Sequence, residues 1–453
     1  MRHLSYKKQL RTILPQRRQV RKGLTTKRRF TRLVKTKIRR IFIQTLVFPL
    51  RLRAFAVEVL SQLRFPVLYR LLFLWCALVS PCMNAGEHQH PVSPTDGVAA
   101  LDVCVDGSTT HLLIAVVVPN QPARVEHRRS VDGGATWSDA VLIDVGAPPH
   151  QPKRTADIQI TAHGNQLLAA WSTSGTGFMG SGPLVIASSS DGGQRWFRGG
   201  NPADDNSDKG HSFVDLTTDA SGRVHAVWLD SRSGKQGLIQ SASDDGGKAW
   251  SSNRILDART CECCWNTVAS DGAQVAVLYR AYAPRDMRLI TSSDRGATWN
   301  DSQAVGAFNW KIEACPHVGG GICWSGPTTA RRQHAVVWTG VDGAVGVHHL
   351  MSDDGGRSWT APHPFPIPRA RQASVAGTES HVIVTCTADD GSGSGVWSQS
   401  SADGGTTWDL PRRISAAGTE VAHPKVIATA QGLRVFWSEK PAEGAWVWRS
   451  AVP

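Results

Sequence analysis

Residues 261–265 read CECCW, three cysteines in four positions followed by a tryptophan. Farther along, Cys315-Pro316-His317 supplies another thiol and an imidazole. Clustered sulfur donors support three kinds of chemistry. They close into disulfides in an oxidising compartment. As thiolates they hold a soft ion, copper(I) or zinc(II). One of them acts as a nucleophile if its surroundings favour the thiolate. The C-x-C-C spacing is not that of a zinc finger. Cys261, Cys263, Cys264, Cys315 and His317 are therefore read as disulfide or metal residues, with copper or zinc as the implied cofactor. The compartment sets the default among these readings.

The charge distribution bears on that compartment. The 453 residues carry a formal net charge of +13, but residues 1–85 hold 20 of the 50 Lys+Arg and one acid, Glu58. The remainder is mildly acidic, so no basic face is implied for the body and a nucleic-acid partner is not expected. Leu71–Val79 reads LLFLWCALV, after Arg64 and Arg70 and before SPCMNAGEH. A charged flank, a short apolar run and a small-residue exit make a secretory signal, too short to span a bilayer. Residues 57–85 are read as the signal region, with cleavage after Ala85. A lipid anchor at Cys82 is the alternative, and Pro81 argues against it. Membrane contact is expected only through that signal or anchor. Residues 1–56, with 18 Lys+Arg and no acid, cannot form a core and read as disordered or as an over-extended start. His88 and His90 fall in the mature terminus. A periplasmic or secreted bacterial protein is expected, in which disulfides between the two cysteine segments are the default. Cys104 and Cys386 lie in apolar strands and read as buried thiols.

The elements that position the cysteines follow from a repeat. SVDGGATW begins at Ser130, SSDGGQRW at Ser189, SDDGGKAW at Ser243, SSDRGATW at Ser292, SDDGGRSW at Ser352 and SADGGTTW at Ser401. The pattern S-x-D-x-G-x-x-W places its aspartates at Asp132, Asp191, Asp245, Asp294, Asp354 and Asp403, and its tryptophans at Trp137, Trp196, Trp250, Trp299, Trp359 and Trp408. Each aspartate can accept backbone N–H bonds and close a turn, glycine supplies positive φ, and the tryptophan packs back over the turn. These residues are scaffold. An apolar strand precedes every box, and a seventh, GLRVFWSE, follows the last box and leads to AWVWRSAV, which has none. The body, residues 86–453, divides by seven into units of about 53 residues, inside the observed repeat steps, whereas six units would be too long. An all-β propeller of four-stranded blades is expected, with seven blades fitting better than six, six Asp-box hairpins, and ring closure between an N-terminal segment and AWVWRSAVP.

These boxes resemble the Asp-box, or BNR, repeats of the sialidase-like propeller superfamily, over roughly residues 100–450. The resemblance implies the fold. It also implies a role among sialidases, other glycoside hydrolases or propellers that only bind. Sialidases carry an early F/Y-R-I-P segment and a tyrosine nucleophile polarised by a glutamate. Here GVAALDVCVDGSTTHLL has no such arginine, and the body has only Tyr279 and Tyr282. The residues available for exo-sialidase-type catalysis are Arg154, Asp157, Tyr279, Arg280, Glu313 and Arg371, with Glu262 and Glu420 as further acids. Tyr279 also reads as a buried strand residue, and Arg285–Asp286 as a surface pair.

In such a propeller the connections between successive blades open on the face opposite the boxes. They gather His150, Lys153, Arg154 and Asp157; Lys209 and His211; Arg259 with the CxCC segment; Lys311 and Glu313 with Cys315 and His317; Arg369 and Arg371; and Glu420, His423 and Lys425. The expected function is binding of a glycan, a protein partner or a soft metal through this face; glycoside hydrolysis is the alternative.

Overall fold

The computed structural model describes residues 96–150, 158–177 and 180–453. The segments 1–56 and 57–85, and Cys82, His88, His90, Lys153, Arg154 and Asp157, lie outside the described residues. Seven antiparallel sheets succeed one another along the chain, each a meander from an inner to an outer strand. The inner strands are Gly97–Asp106, Ile158–His163, His211–Thr218, Thr267–Asp271, Gly321–Ser325, Arg371–Gly377 and Glu420–Thr429. Among the described residues, six blades have four strands; the seventh has three, ending at Val447–Ala451, and carries no box. The seven-bladed propeller is thus present, with one blade a strand short of the expected four.

The ring closes where expected. Val98 N–H donates to Trp446 O at 2.9 Å, and Trp446 N–H to Asp96 O at 3.2 Å. Gly97 makes this approach possible: its φ is +84°, and a Cβ there would meet Trp446 O at 2.1 Å. Inner strands are also bonded to their neighbours across the ring. Asp102 Oδ2 accepts Ile160 N–H of the next blade at 2.8 Å, and Asp215 Oδ2 accepts Val268 N–H at 2.7 Å.

Every box is held by the same bonds. In the first, Ser130 Oγ donates to Asp132 Oδ1 at 2.7 Å and accepts Gly134 N–H at 2.8 Å, while Thr136 N–H donates to Asp132 at 2.8 Å. The tryptophans do more than cover their own turns. Trp137 meets Phe436 and Trp448 of the seventh blade, Trp196 meets His127 of the first, and Trp408 meets His349 of the fifth. Each seals the seam to the preceding blade, because the hairpin overhangs it. The apolar clusters accordingly combine strands of neighbouring blades.

Candidate functional site

The cysteine segments meet on the loop face, around the fourth blade. Cys261–Cys264 lie between the third blade's outer strand, Arg254–Asp257, and the fourth blade's inner strand. Cys261 N–H donates to Arg280 O at 3.0 Å, and Thr260 N–H to Gln236 O at 2.8 Å, which stitches this connection to two others. Cys315 arrives on the connection into the fifth blade. Three arginines hold that connection by its carbonyls. Arg285 Nε donates to Ile312 O at 3.3 Å, Arg371 to Pro316 O at 2.9 Å, and Arg280 Nε to Val318 O at 3.1 Å.

The sulfurs converge without bonding. Cys261 Sγ lies 3.7 Å from Cys263 Sγ and 3.4 Å from Cys264 Sγ. A disulfide requires about 2.05 Å. The three sulfurs lie within 4.8 Å of one another. Cys315 packs against them from the separate connection. The expected disulfide staple is thus not formed: every described cysteine is a free thiol. Cys261, Cys263 and Cys264 are 1, 1 and 2 % exposed, and Cys315 is half-buried. His317 lies outside the group of converging donors.

Electrostatics favour a thiolate at one position. Hydrogen bonding with Cys263 and Cys264, assisted by Arg285, holds the Cys261 thiol well below its usual range. Bonding to Cys261 pushes Cys263 up, and burial pushes Cys264 up. Arg285 Nη1 donates to Cys261 Sγ at 3.0 Å and meets Glu262 Oε2 at 3.2 Å. Its guanidinium and that of Arg259 both lie over the Tyr282 ring.

Several sequence expectations are corrected by this geometry. Arg285–Asp286 is not a surface pair: both are buried, and Asp286 instead accepts the N–H groups of Asn309 and Trp310. Tyr279, by contrast, is the buried strand residue that its apolar strand implies: it is 0 % exposed and donates its hydroxyl to Asp257 at 2.7 Å, and burial pushes its phenol up. Arg280, 2 % exposed, gives its donors to the carbonyls of Val318, Arg285 and Trp338. Neither presents a group to a ligand. His211 is a core residue bonded to Asp205 at 3.1 Å, and His150 is buried. Lys209, Lys311, Glu313, Arg369 and Glu420 are exposed, as is part of Arg371, whose guanidinium lies over Trp338.

Trp265, the last residue of CECCW, reaches the central channel. Its ring meets His423 of the seventh blade edge-on at 5.5 Å, and its Nε1 donates to Gly320 O at 3.3 Å. Below lies a cavity of about 180 Å³ lined by Asp215, Asn266, Gln159 and Lys425 among others. Burial lowers His423 to about 3, so its imidazole is neutral. The sequence placed His423 and Lys425 at the channel mouth but left Asp215 unnoticed, although it shares the strand phase of Asp102. Burial raises Asp215 to about 7. Its folded pKa exceeds the unfolded value, so the associated stability is fully present below about pH 4 and is lost as pH rises through about 7. Asp215→Asn is expected to flatten that slope in urea unfolding measured at several pH values; an unchanged slope would show that Asp215 does not cause it.

The profile of the BNR repeat-like domain matches residues 99–304. No curated protein matches the sequence. Among solved structures, an ulvan lyase of polysaccharide lyase family PL25 is similar at 10% identity and a TM-score of 0.52, over 79% of this chain and 94% of that one. The Hadza microbial sialidase Hz136 is similar at 15% identity and a TM-score of 0.42, over 63% of each chain. Trypanosoma rangeli sialidase is similar at 10% identity and a TM-score of 0.45, over 79% of this chain and 55% of that one. This chain therefore spans less than two thirds of either sialidase. The chain is a seven-bladed β-propeller with six Asp-box hairpins, similar over residues 99–304 to the BNR repeat-like domain. Among the described residues, its loop face differs from a bare scaffold in carrying a buried cysteine cluster.

Proposed function

We propose that this chain is an exported binding propeller whose loop face holds a thiophilic metal ion, copper(I) or zinc(II), on Cys261, Cys263 and Cys264, with Cys315 beside them. One observation carries the reading: the buried, unbonded sulfurs of Cys263 and Cys264 lie 3.7 and 3.4 Å from that of Cys261. Two sulfurs bonded to one ion at about 2.3 Å lie about 3.8 Å apart at the tetrahedral angle, so small movements would complete coordination. An all-sulfur donor set favours soft d10 ions over magnesium or calcium. When bound, the ion would replace the thiol protons at Cys263 and Cys264, while Arg285 balances charge at Cys261. Export rests on the apolar run Leu71–Val79.

The glycan reading rests on the names of fold relatives. Hydrolysis of the sialidase type is disfavoured by the interior positions of Tyr279 and Arg280. The test is titration of the reduced chain, under anaerobic conditions, with zinc(II) and with copper(I) against a chromophoric chelator. One ion per chain and protection of three or four thiols from alkylation support the proposal. No uptake, together with turnover of a fluorogenic sialoside, would overturn it in favour of the hydrolase.

A further inference from the structure

A metal site on three sealed sulfurs needs a way in. Cys261, Cys263 and Cys264 are at most 2 % exposed, so an ion held by them alone offers solvent no coordination position. Cys315 differs from them. It is half-buried, belongs to a separate connection, and packs against the three-sulfur cluster. The backbone around it is fixed at Ile312, Pro316 and Val318 by Arg285, Arg371 and Arg280. The thiol is therefore presented from a held loop. The rim beside it carries both signs of charge: Glu313, Lys311 and Arg259 are exposed, and the Glu262 side chain, one third exposed, meets Arg285 at 3.2 Å.

We propose that Cys315 is the exchange ligand of a three-thiolate copper(I) pocket, an inference that rests on the metal-binding function above. Copper(I) is stable with two or three sulfur ligands, whereas structural zinc(II) takes four. Copper(I) arriving as a complex with a small thiol first bonds to Cys315 Sγ as one carrier sulfur leaves. It then passes to Cys263 and on to Cys261 and Cys264. From a two-sulfur carrier, two carrier bonds and the bond to Cys315 break as four bonds to protein sulfurs form, so the ion passes from two sulfur ligands to three and Cys315 takes up a proton as it is released. The proton lost by each incoming thiol goes to the departing carrier thiolate or to water, and no electron is transferred.

The test separates rate from affinity in the full, reduced chain, using the copper(I)–glutathione complex as donor. Cys315→Ser is expected to leave the equilibrium affinity within about tenfold of wild type and to slow transfer by at least about tenfold. Cys323→Ser, in a strand away from the cluster, should change neither. Cys315→Ala should slow transfer to the same extent as Cys315→Ser, a second reading at the same thiol. A loss of affinity in Cys315→Ser equal to that in Cys263→Ser would make Cys315 an ordinary fourth ligand and overturn the inference. So would an unchanged transfer rate. A wild-type chain that takes up no copper(I) would instead defeat the metal-binding function itself.

Discussion

Cys263→Ser is expected to lower soft-metal affinity by at least about a thousandfold, or about 4 kcal/mol. Cys263 lies 3.7 Å from Cys261 Sγ and within 4.8 Å of the Cys264 sulfur, in the cluster against which Cys315 packs. Serine preserves the shape but substitutes a hard, protonated hydroxyl for a thiolate, which copper(I) does not favour. The folded chain should tolerate the change, because the connection is held by backbone bonds from Cys261 and Thr260 that the substitution leaves intact. Competition titration against a chromophoric chelator measures the loss. Cys386→Ser, in the core of the sixth blade, is the control and should bind like wild type. Affinity should also rise with pH. The thiols of Cys263 and Cys264 are pushed above their usual range, so metal must displace protons that are bound at neutral pH. Equal affinity in Cys263→Ser and wild type would contradict the assigned ligand set.

Lys425→Met is expected to lower stability by about 3 kcal/mol, toward the low end for breaking a buried pair. The Lys425 ammonium, from the seventh blade, bonds Asp102 of the first and meets Gln159 of the second at 3.3 Å. It therefore ties three inner strands together across the closure of the ring. The Asp102 side chain is 5% exposed and the Lys425 side chain 32%, because the lysine faces the channel. Removing the lysine leaves a buried carboxylate without its counter-ion, and channel water relieves only part of that cost. The double variant Lys425→Met/Asp102→Asn should recover at least half of the loss. Urea unfolding at neutral pH measures both. Metal affinity should not change in either variant, since this contact is separate from the sulfur cluster. A single variant as stable as wild type would remove Lys425 from ring closure.

The scaffold was legible because its signals are local. Each box closes through bonds between residues two to four apart, as in Ser130, Asp132, Gly134 and Thr136. Such contacts follow from residue type and spacing, and seven apolar runs then set the blade number. The meeting of CECC with Cys315 was legible too, since both occupy the same phase of successive repeats. What lies between them was not. Arg285 turns to Cys261 and Glu262 rather than to its neighbour Asp286, a choice made by three connections packing together. Tyr279 alternates inward on its strand and finds Asp257 on another. The tryptophans seal seams to preceding blades because each hairpin overhangs, a relation between repeats that a single box does not encode. The bonding state of the sulfurs was likewise open. Disulfide and thiolate readings use the same residues, and the separations at Cys261 distinguish them.

The central claim is that the cysteine cluster binds a soft ion directly. X-ray absorption at the copper edge of the copper(I)-loaded, reduced chain tests it most directly. The expected result is a first shell of sulfur alone, with copper–sulfur distances near 2.3 Å, and loss of that shell in Cys263→Ser. A first shell of nitrogen or oxygen, or a spectrum unchanged in Cys263→Ser, would contradict it.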